Sequence, residues 1–180
     1  MKGIILLADY FEDTEALATI DVLIRAGEDI TRVGVNNKEV FTQTGLKVIC
    51  DTLLDDVSYS DFDYLILPGG KASFTILNKD IGVEKIIDYF ISQNKLVASI
   101  CAAPHLLARK GYFKNREFTC YPGFEKYSIA GKYTSQGVVR DDKFVTAKSM
   151  YYSIEFALNI IAFLYGEDRA HQVKLSLMAE

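Results

Sequence analysis

Short apolar runs alternate with longer amphipathic segments from one end of the chain to the other. The apolar runs are bounded by turn residues, which predicts strands, whereas apolar residues at helical spacing predict helices. The predicted strands cover residues 2–8, 30–35, 63–67 and 96–100, with hairpins at 40–50 and 138–147. The predicted helices cover residues 14–26, 83–93, 153–165 and a last segment from 168 towards 177.

The central apolar runs show no polar face, and helical segments separate them. This arrangement is typical of a parallel sheet covered on both sides, so we predict an α/β fold that forms a single domain over residues 1–180. In such sheets, ligands bind beyond the carboxyl ends of the strands. The loop after residue 8, the turn Pro68-Gly69-Gly70 and Cys101 all follow predicted strands, so we expect them to meet at one edge.

Composition and charge narrow the possible partners. Apolar residues make up 49% of the 180 residues and charged residues 24%, as is usual for globular proteins. The net charge of −4 and the lack of a Lys/Arg run predict no nucleic-acid or membrane partner. The apolar N-terminal run is short and leads into acidic residues, so we interpret it as a strand rather than a secretion signal.

The three cysteines are far apart and odd in number: Cys50, Cys101 and Cys120. They fit neither a disulfide framework nor the spacing of metal ligands. We therefore expect a reducing cytoplasm and no metal site.

Cys101 is the most informative position, because it joins a buried strand to a predicted helix start at Ala102-Ala103-Pro104. A strand-to-helix elbow exposes its nucleophile on a strained turn, and the helix N-terminus favours the reactive thiolate. The alternative is an ordinary buried cysteine, which is common for this residue type.

Glu15 lies near the start of the first predicted helix, within Glu12-Asp13-Thr14-Glu15. Acidic residues often gather there because of the helix dipole alone. If Glu15 also lies beside Cys101, burial would raise the pKa of its carboxyl and let it hold or shuttle a proton. Glu12 and Asp13 are interpreted as solvated cap residues.

Gly69 and Gly70 allow close approach of the backbone to a ligand, and with the N–H of Ala102 they are candidates for an oxyanion site. The alternative is a tight turn that ends a buried strand.

Among the remaining candidates, Cys120 and Tyr121 fall in a predicted strand at 118–121, so one of the two should face the site as a resolving thiol or phenol donor. Packing is the alternative for both.

The two histidines do not complete a Cys-His-Asp triad in this sequence. His105 lies in the predicted elbow helix and is poorly placed to deprotonate Cys101, so we interpret it as structural. His171 is interpreted as a surface residue.

Three motifs in this order resemble the ThiJ/PfpI superfamily, in the branch of the parkinsonism-associated protein and its bacterial relatives: Ser99-Ile100-Cys101-Ala102-Ala103-Pro104, Leu65-Ile66-Leu67-Pro68-Gly69-Gly70 and Glu12-Asp13-Thr14-Glu15. The similarity extends to Glu155-Phe156-Ala157-Leu158 and Gln172-Val173-Lys174, so it covers essentially the whole chain.

The resemblance implies a flavodoxin-like three-layer α/β/α sandwich of the class I glutamine amidotransferase type. It implies a homodimer, and a catalytic pair of Cys101 with a protonated Glu15. It also implies chemistry without a cofactor on small carbonyl substrates, by which 2-oxoaldehydes such as methylglyoxal become hydroxy acids, or deglycase activity.

The chain departs from this branch at two places. Tyr121 stands where much of the branch has a histidine, and tyrosine is a poor base near neutral pH because its pKa is about 10. Ser149-Met150-Tyr151-Tyr152 replaces a Gly-Pro-Gly stretch and adds bulk beside the site.

Three hypotheses follow for the function. The first is a glyoxalase-type or deglycase-type enzyme with Cys101 as nucleophile and Glu15 as proton shuttle. The second is an oxidative-stress sensor or protein-protective module in which an oxidant modifies Cys101. The third is an amidase or peptidase with a histidine as base.

Overall fold

The computed structural model describes residues 1–178. The strands are β1 (Lys2–Leu7), β2 (Asp29–Gly34), β3 (Glu39–Phe41), β4 (Lys47–Ile49), β5 (Thr52–Leu53), β6 (Tyr64–Leu67), β7 (Leu96–Ile100), β8 (Glu117–Phe118), β9 (Lys132–Tyr133), β10 (Val138–Asp141) and β11 (Phe144–Ala147). The helices are α1 (Asp13–Arg25), α2 (Lys71–Thr75), α3 (Ile81–Ser92), α4 (His105–Ala108), α5 (Ser153–Tyr165) and α6 (Glu167–Ser176).

Within this range, seven strands form one sheet in the order β10-β11-β7-β6-β1-β2-β5. Every neighbouring pair is parallel except the hairpin of β10 and β11. The central strands β1, β6 and β7 are buried almost throughout, as their continuous apolar runs predict. The mostly parallel sheet of the predicted flavodoxin-like α/β fold is confirmed.

Helices cover both faces of the sheet. Helices α1, α5 and α6 pack against one another, with α1 on β2 and α5 on β11, whereas α3 packs against β6 and β7. The chain leaves β1 towards β2 and later returns through β6 on the other side of β1. This reversal opens a crevice at the carboxyl ends of β1 and β6, which is where ligands bind in doubly wound sheets.

Two predicted segments differ from the structure. The hairpin at 40–50 forms, but β3 and β4 stand as a separate two-stranded sheet. The strand predicted at 118–121 ends at Phe118, and β8 pairs with β9 rather than with the main sheet. The apolar run there reflects burial of Phe118 and Cys120 in the core, which packing produces without a longer strand.

A buried polar cluster holds the opposite, amino-terminal edge of the sheet. The Glu28 carboxyl is almost fully buried and accepts hydrogen bonds from the hydroxyls of Tyr64 (2.9 Å) and Tyr165 (2.6 Å). The cluster therefore joins the segment after α1, the central strand β6 and the end of α5, because a buried carboxylate needs such donors. No helix within residues 1–178 has the length and apolar character required to cross a membrane.

We expect Tyr64→Phe to lower the free energy of unfolding by about 2 kcal/mol, because it removes one donor from a buried carboxylate. Urea denaturation followed by circular dichroism measures this loss. Tyr59→Phe is the matched control, since the described residues give the partly buried Tyr59 hydroxyl no hydrogen bond. Equal effects of the two substitutions would contradict the role given to Glu28.

Candidate active site

Three segments converge at the crevice between β1 and β6. Glu15 lies in the first turn of α1, which follows β1, while Gly69 and Gly70 follow β6 and Cys101 follows β7. A Cβ added to Gly69 would lie 2.6 Å from Glu15 Oε2 and 2.7 Å from the Cys101 Cβ. The predicted meeting of these segments at one sheet edge is therefore what the structure shows, and Gly69 has no room for a side chain.

Cys101 sits on a strained turn whose backbone is fixed at both of its polar groups. Its φ is 63°, in the left-handed region that residues other than glycine rarely adopt. The Cys101 N–H donates to the carbonyl of Ala147 (2.8 Å), and its carbonyl accepts from the N–H of Tyr121 (2.7 Å). These bonds from two distant segments hold the strained conformation and direct the thiol into the crevice.

The expected helix start at Cys101 is not present. Residues 101–104 form turns, and the short helix α4 begins only at His105, so no helix N-terminus lies at the sulfur. Burial and the adjacent Glu15 carboxyl raise the pKa of the Cys101 thiol, whereas the N–H groups of Gly70 and Ala102 lower it less. Burial and the Glu15 carboxyl thus oppose the thiolate expected from the sequence, and the backbone donors favour it.

Glu15 is 1% exposed, and its carboxyl lies between the Gly69 backbone and the Cys101 thiol. Oε2 accepts a hydrogen bond from the N–H of Gly69 (2.8 Å). Oε1 is buried and has no hydrogen-bond partner within residues 1–178. Burial raises the pKa of Glu15 to about 7; the contact with Cys101 opposes this shift. The Glu15 carboxyl can therefore gain or lose a proton near neutral pH.

Glu15 and Cys101 behave as one titrating pair. Burial raises the pKa of both groups, so the pair disfavours the state in which both are ionised. With one proton present, thiol plus carboxylate and thiolate plus carboxylic acid differ only in the position of that proton. The pair can therefore pass a proton from sulfur to carboxylate as the sulfur forms a bond.

The two N–H groups of the Gly69-Gly70 turn act on different members of this pair. The Gly69 N–H is occupied by Glu15, so Gly69 orients the carboxyl rather than facing an oxyanion. The N–H groups of Gly70 and Ala102 lie near the sulfur and lower the pKa of the thiol. Gly70 has a φ of 80°, and an added Cβ would lie 2.4 Å from the Glu12 nitrogen, so the turn requires glycine there.

Neither histidine faces the thiol. The His105 Nδ1–H donates to the carbonyl of Ala102 (2.7 Å), and burial lowers the pKa of this ring, which keeps it neutral. His171 is exposed and lines a separate cavity of about 380 Å³ between α5 and α6. The interpretation of His105 as structural and His171 as a surface residue is confirmed.

Cys120 and Tyr121 lie on opposite sides of their segment. Cys120 is fully buried and free, as is Cys50 near the hairpin, whereas Tyr121 is 48% exposed and lines the site. Tyr121 also supports Cys101 through its backbone N–H, a contribution that the sequence gives no sign of. The side chain at position 121 can therefore vary without loss of this bond.

A cavity of about 460 Å³ opens above the pair. Ser149 and Met150, which the sequence places beside the site, line it, whereas Tyr151 projects into solvent. The cavity is also lined by four residues that the sequence pattern does not indicate: Gln43, Lys71, Phe74 and Phe124. Glu12, which the sequence predicts to be solvated, lines the cavity as well. Glu12 caps α1 by accepting from the Glu15 N–H (2.7 Å), and burial raises the pKa of its carboxyl.

The doubly wound sheet and the buried Cys–Glu pair define an α/β protein with a cysteine at a nucleophile elbow. The sequence matches the DJ-1/PfpI family over residues 1–163, and the chain belongs to this family.

Known relatives agree with this assignment. The chain is 34% identical over 175 residues to Protein DJ-1 homolog B of Arabidopsis thaliana, covering 96% of this chain but 40% of that protein. It is 28% identical to the glutathione-independent glyoxalase DJR-1.2 of Caenorhabditis elegans, covering 90% of this chain and 87% of that protein. The structure of oxidized Toxoplasma gondii DJ-1 superposes with a TM-score of 0.93 at 28% identity, covering 99% of this chain and 98% of that one.

The raised pKa of Glu15 predicts how stability depends on pH. A carboxyl whose pKa is higher in the folded state binds its proton more tightly there, so its contribution is present at low pH and lost as pH rises through about 7. We expect Glu15→Gln to gain about 3 kcal/mol relative to the wild type between pH 4 and pH 8.

Urea unfolding of both proteins at several pH values measures this difference. Asp21→Asn, at an exposed carboxyl of α1, is the control and should follow the wild type. A constant difference between Glu15→Gln and the wild type across this range would show that Glu15 does not titrate near neutral pH.

Proposed function

We propose that the protein is a glyoxalase-type enzyme that converts small 2-oxoaldehydes to 2-hydroxy acids without a cofactor. The observation that carries the proposal is the placement of the buried Glu15 carboxyl beside the Cys101 thiol in one cavity, with the pKa of both groups raised by burial. The family membership and the similarity to a glutathione-independent glyoxalase support it. Deglycase chemistry would begin with the same addition to a carbonyl carbon.

The first step is addition of the Cys101 sulfur to the aldehyde carbon. The thiol proton passes to Glu15 and then to the carbonyl oxygen, which gives a hemithioacetal. The N–H groups of Gly70 and Ala102 stabilise the negative charge that develops on this oxygen. The hydrogen bond from Gly69 keeps the Glu15 carboxyl beside the sulfur.

The second step moves a proton between the two substrate carbons. Glu15, now a carboxylate, removes the hydrogen of the hemithioacetal carbon and returns it to the neighbouring carbon through an enediol, which gives a 2-hydroxy thioester. Water then hydrolyses the thioester, which releases the hydroxy acid and restores the thiol. The sum is one aldehyde plus one water giving one hydroxy acid, with no external oxidant.

We expect the wild type to consume methylglyoxal over many turnovers without glutathione and to form lactate. Cys101→Ser and Glu15→Gln should each reduce kcat by at least about a hundredfold, since each removes one half of the proton-sharing pair. Cys50→Ala is the matched control, because this buried thiol lies outside the cavity.

Lactate measured enzymatically against time, with circular dichroism to check folding, tests this proposal. A single equivalent of aldehyde consumed per chain, or an active Glu15→Gln protein, would refute it.

A second candidate function, oxidant sensing through Cys101, is favoured by the surroundings of the sulfur. Cys101 is the one cysteine of the three that is not fully buried, and the N–H groups of Gly70 and Ala102 could stabilise sulfinate oxygens. The oxidized state of the similar Toxoplasma gondii structure supports this candidate. Protein protection would then follow from the modified state.

In this case, mild hydrogen peroxide should add two oxygen atoms to Cys101, with two peroxide molecules reduced to water. Peptide mass spectrometry reads all three thiols in the same sample, so Cys50 and Cys120 act as internal controls. Oxidation that proceeds equally at all three would exclude a sensor at Cys101.

A further inference from the structure

The wall of the cavity is more apolar than a three-carbon aldehyde requires. Above Cys101 and Glu15, the cavity is bounded by Phe74, Phe124 and Met150, and its volume of about 460 Å³ falls in the range of sites for larger organic molecules. Methylglyoxal, with a single methyl group, would leave most of this wall without a contact. The wall therefore indicates a substrate with a bulky apolar group.

Two aromatic rings from different segments form this wall. The Phe74 ring, from α2, lies 5.6 Å from the Phe124 ring at an interplanar angle of 44°. Phe124 is supported from behind by the His105 ring at 5.5 Å, and His105 is itself held to the elbow by its hydrogen bond to Ala102. Phe124 is thus fixed, while Phe74 remains 42% exposed at the cavity mouth.

The rings suit a planar apolar ligand. Aromatic rings prefer offset or edge-to-face neighbours, and a bound aryl group could pack in this way against the tilted Phe74–Phe124 pair. The exposed fraction of Phe74 is apolar surface that a bound aryl group would cover. Met150, which is 49% exposed on the far side, can adjust to such a ring because its side chain is flexible.

The charges at the cavity favour a neutral ligand. Glu12 and Glu15 both line the cavity, so an anionic ligand such as a 2-oxo acid would lie close to two acidic residues. The Lys71 ammonium lies 5.3 Å from the centre of the Tyr10 ring. Lys71 is thus one cation against the two acidic residues Glu12 and Glu15 in the lining.

We propose that the site selects neutral aryl 2-oxoaldehydes, with Phe74 and Phe124 as the residues that determine specificity. This inference rests on the proposed glyoxalase-type function and follows the same chemistry: sulfur adds to the aldehyde carbon, a proton moves between the two carbons, and water releases an aryl 2-hydroxy acid.

The kinetic test compares phenylglyoxal with methylglyoxal. In the wild type, kcat/KM should be at least about tenfold higher for phenylglyoxal, and Phe74→Ala should reduce this ratio by about threefold to tenfold, mainly through KM. Phe41→Ala is the matched control, since Phe41 is also 42% exposed but lies outside the cavity.

Cys101→Ser gives the background of phenylglyoxal loss without the thiol. A wild-type ratio of one or less, or a Phe74→Ala ratio equal to the wild type, would overturn the proposal.

A second measurement works without turnover. Phenylethanediol and propanediol are neutral reduced analogues of the two aldehydes and cannot react with a thiol. At equal concentration, phenylethanediol should slow iodoacetamide alkylation of Cys101 at least about threefold more than propanediol does, and Phe74→Ala should remove this difference. Equal protection by the two diols would overturn the aryl selectivity, whereas failure of the wild type to turn over either aldehyde would overturn the proposed function alone.

Discussion

The enclosure of a carboxyl and a thiol side by side at the carboxyl edge of the sheet is the constraint on which the site depends. The crevice between β1 and β6 removes Glu15 and Cys101 from water together, so the pair resists ionisation of both members. Gly69 makes this possible in two ways: it has no side chain to separate them, and its N–H fixes the carboxyl. In the proposed reaction, the sulfur therefore passes its proton to Glu15 as the new bond forms.

The sequence predicts the layout of this site better than its electrostatics. Strands β1, β6 and β7 are readable because burial on both faces demands continuous apolar runs, and parallel topology then brings the residues that follow them to one edge. The pKa of the thiol is not readable, since it depends on desolvation by groups remote in sequence. The cavity wall cannot be predicted from the sequence for the same reason, because Phe74 and Phe124 come together only through tertiary packing.

Tyr121 shows that positioning and chemistry can be separated at a single residue. Its N–H holds the Cys101 carbonyl, a role open to any residue except proline, while its side chain lines the cavity mouth. A phenol there therefore preserves the elbow and changes only what a ligand meets. In the proposed reaction Glu15 accepts and returns the protons, so that reaction does not require a base at position 121.

The left-handed backbone at Cys101 limits how this position can change over evolutionary time. A φ of 63° is tolerable for an unbranched side chain but strongly disfavours a β-branched one. Serine is therefore an accessible replacement that keeps a nucleophilic oxygen in the same place, whereas threonine, valine and isoleucine would force the turn apart. Descendants of this scaffold can exchange sulfur for oxygen or lose the nucleophile to alanine, but the route to a threonine enzyme is closed by the backbone itself.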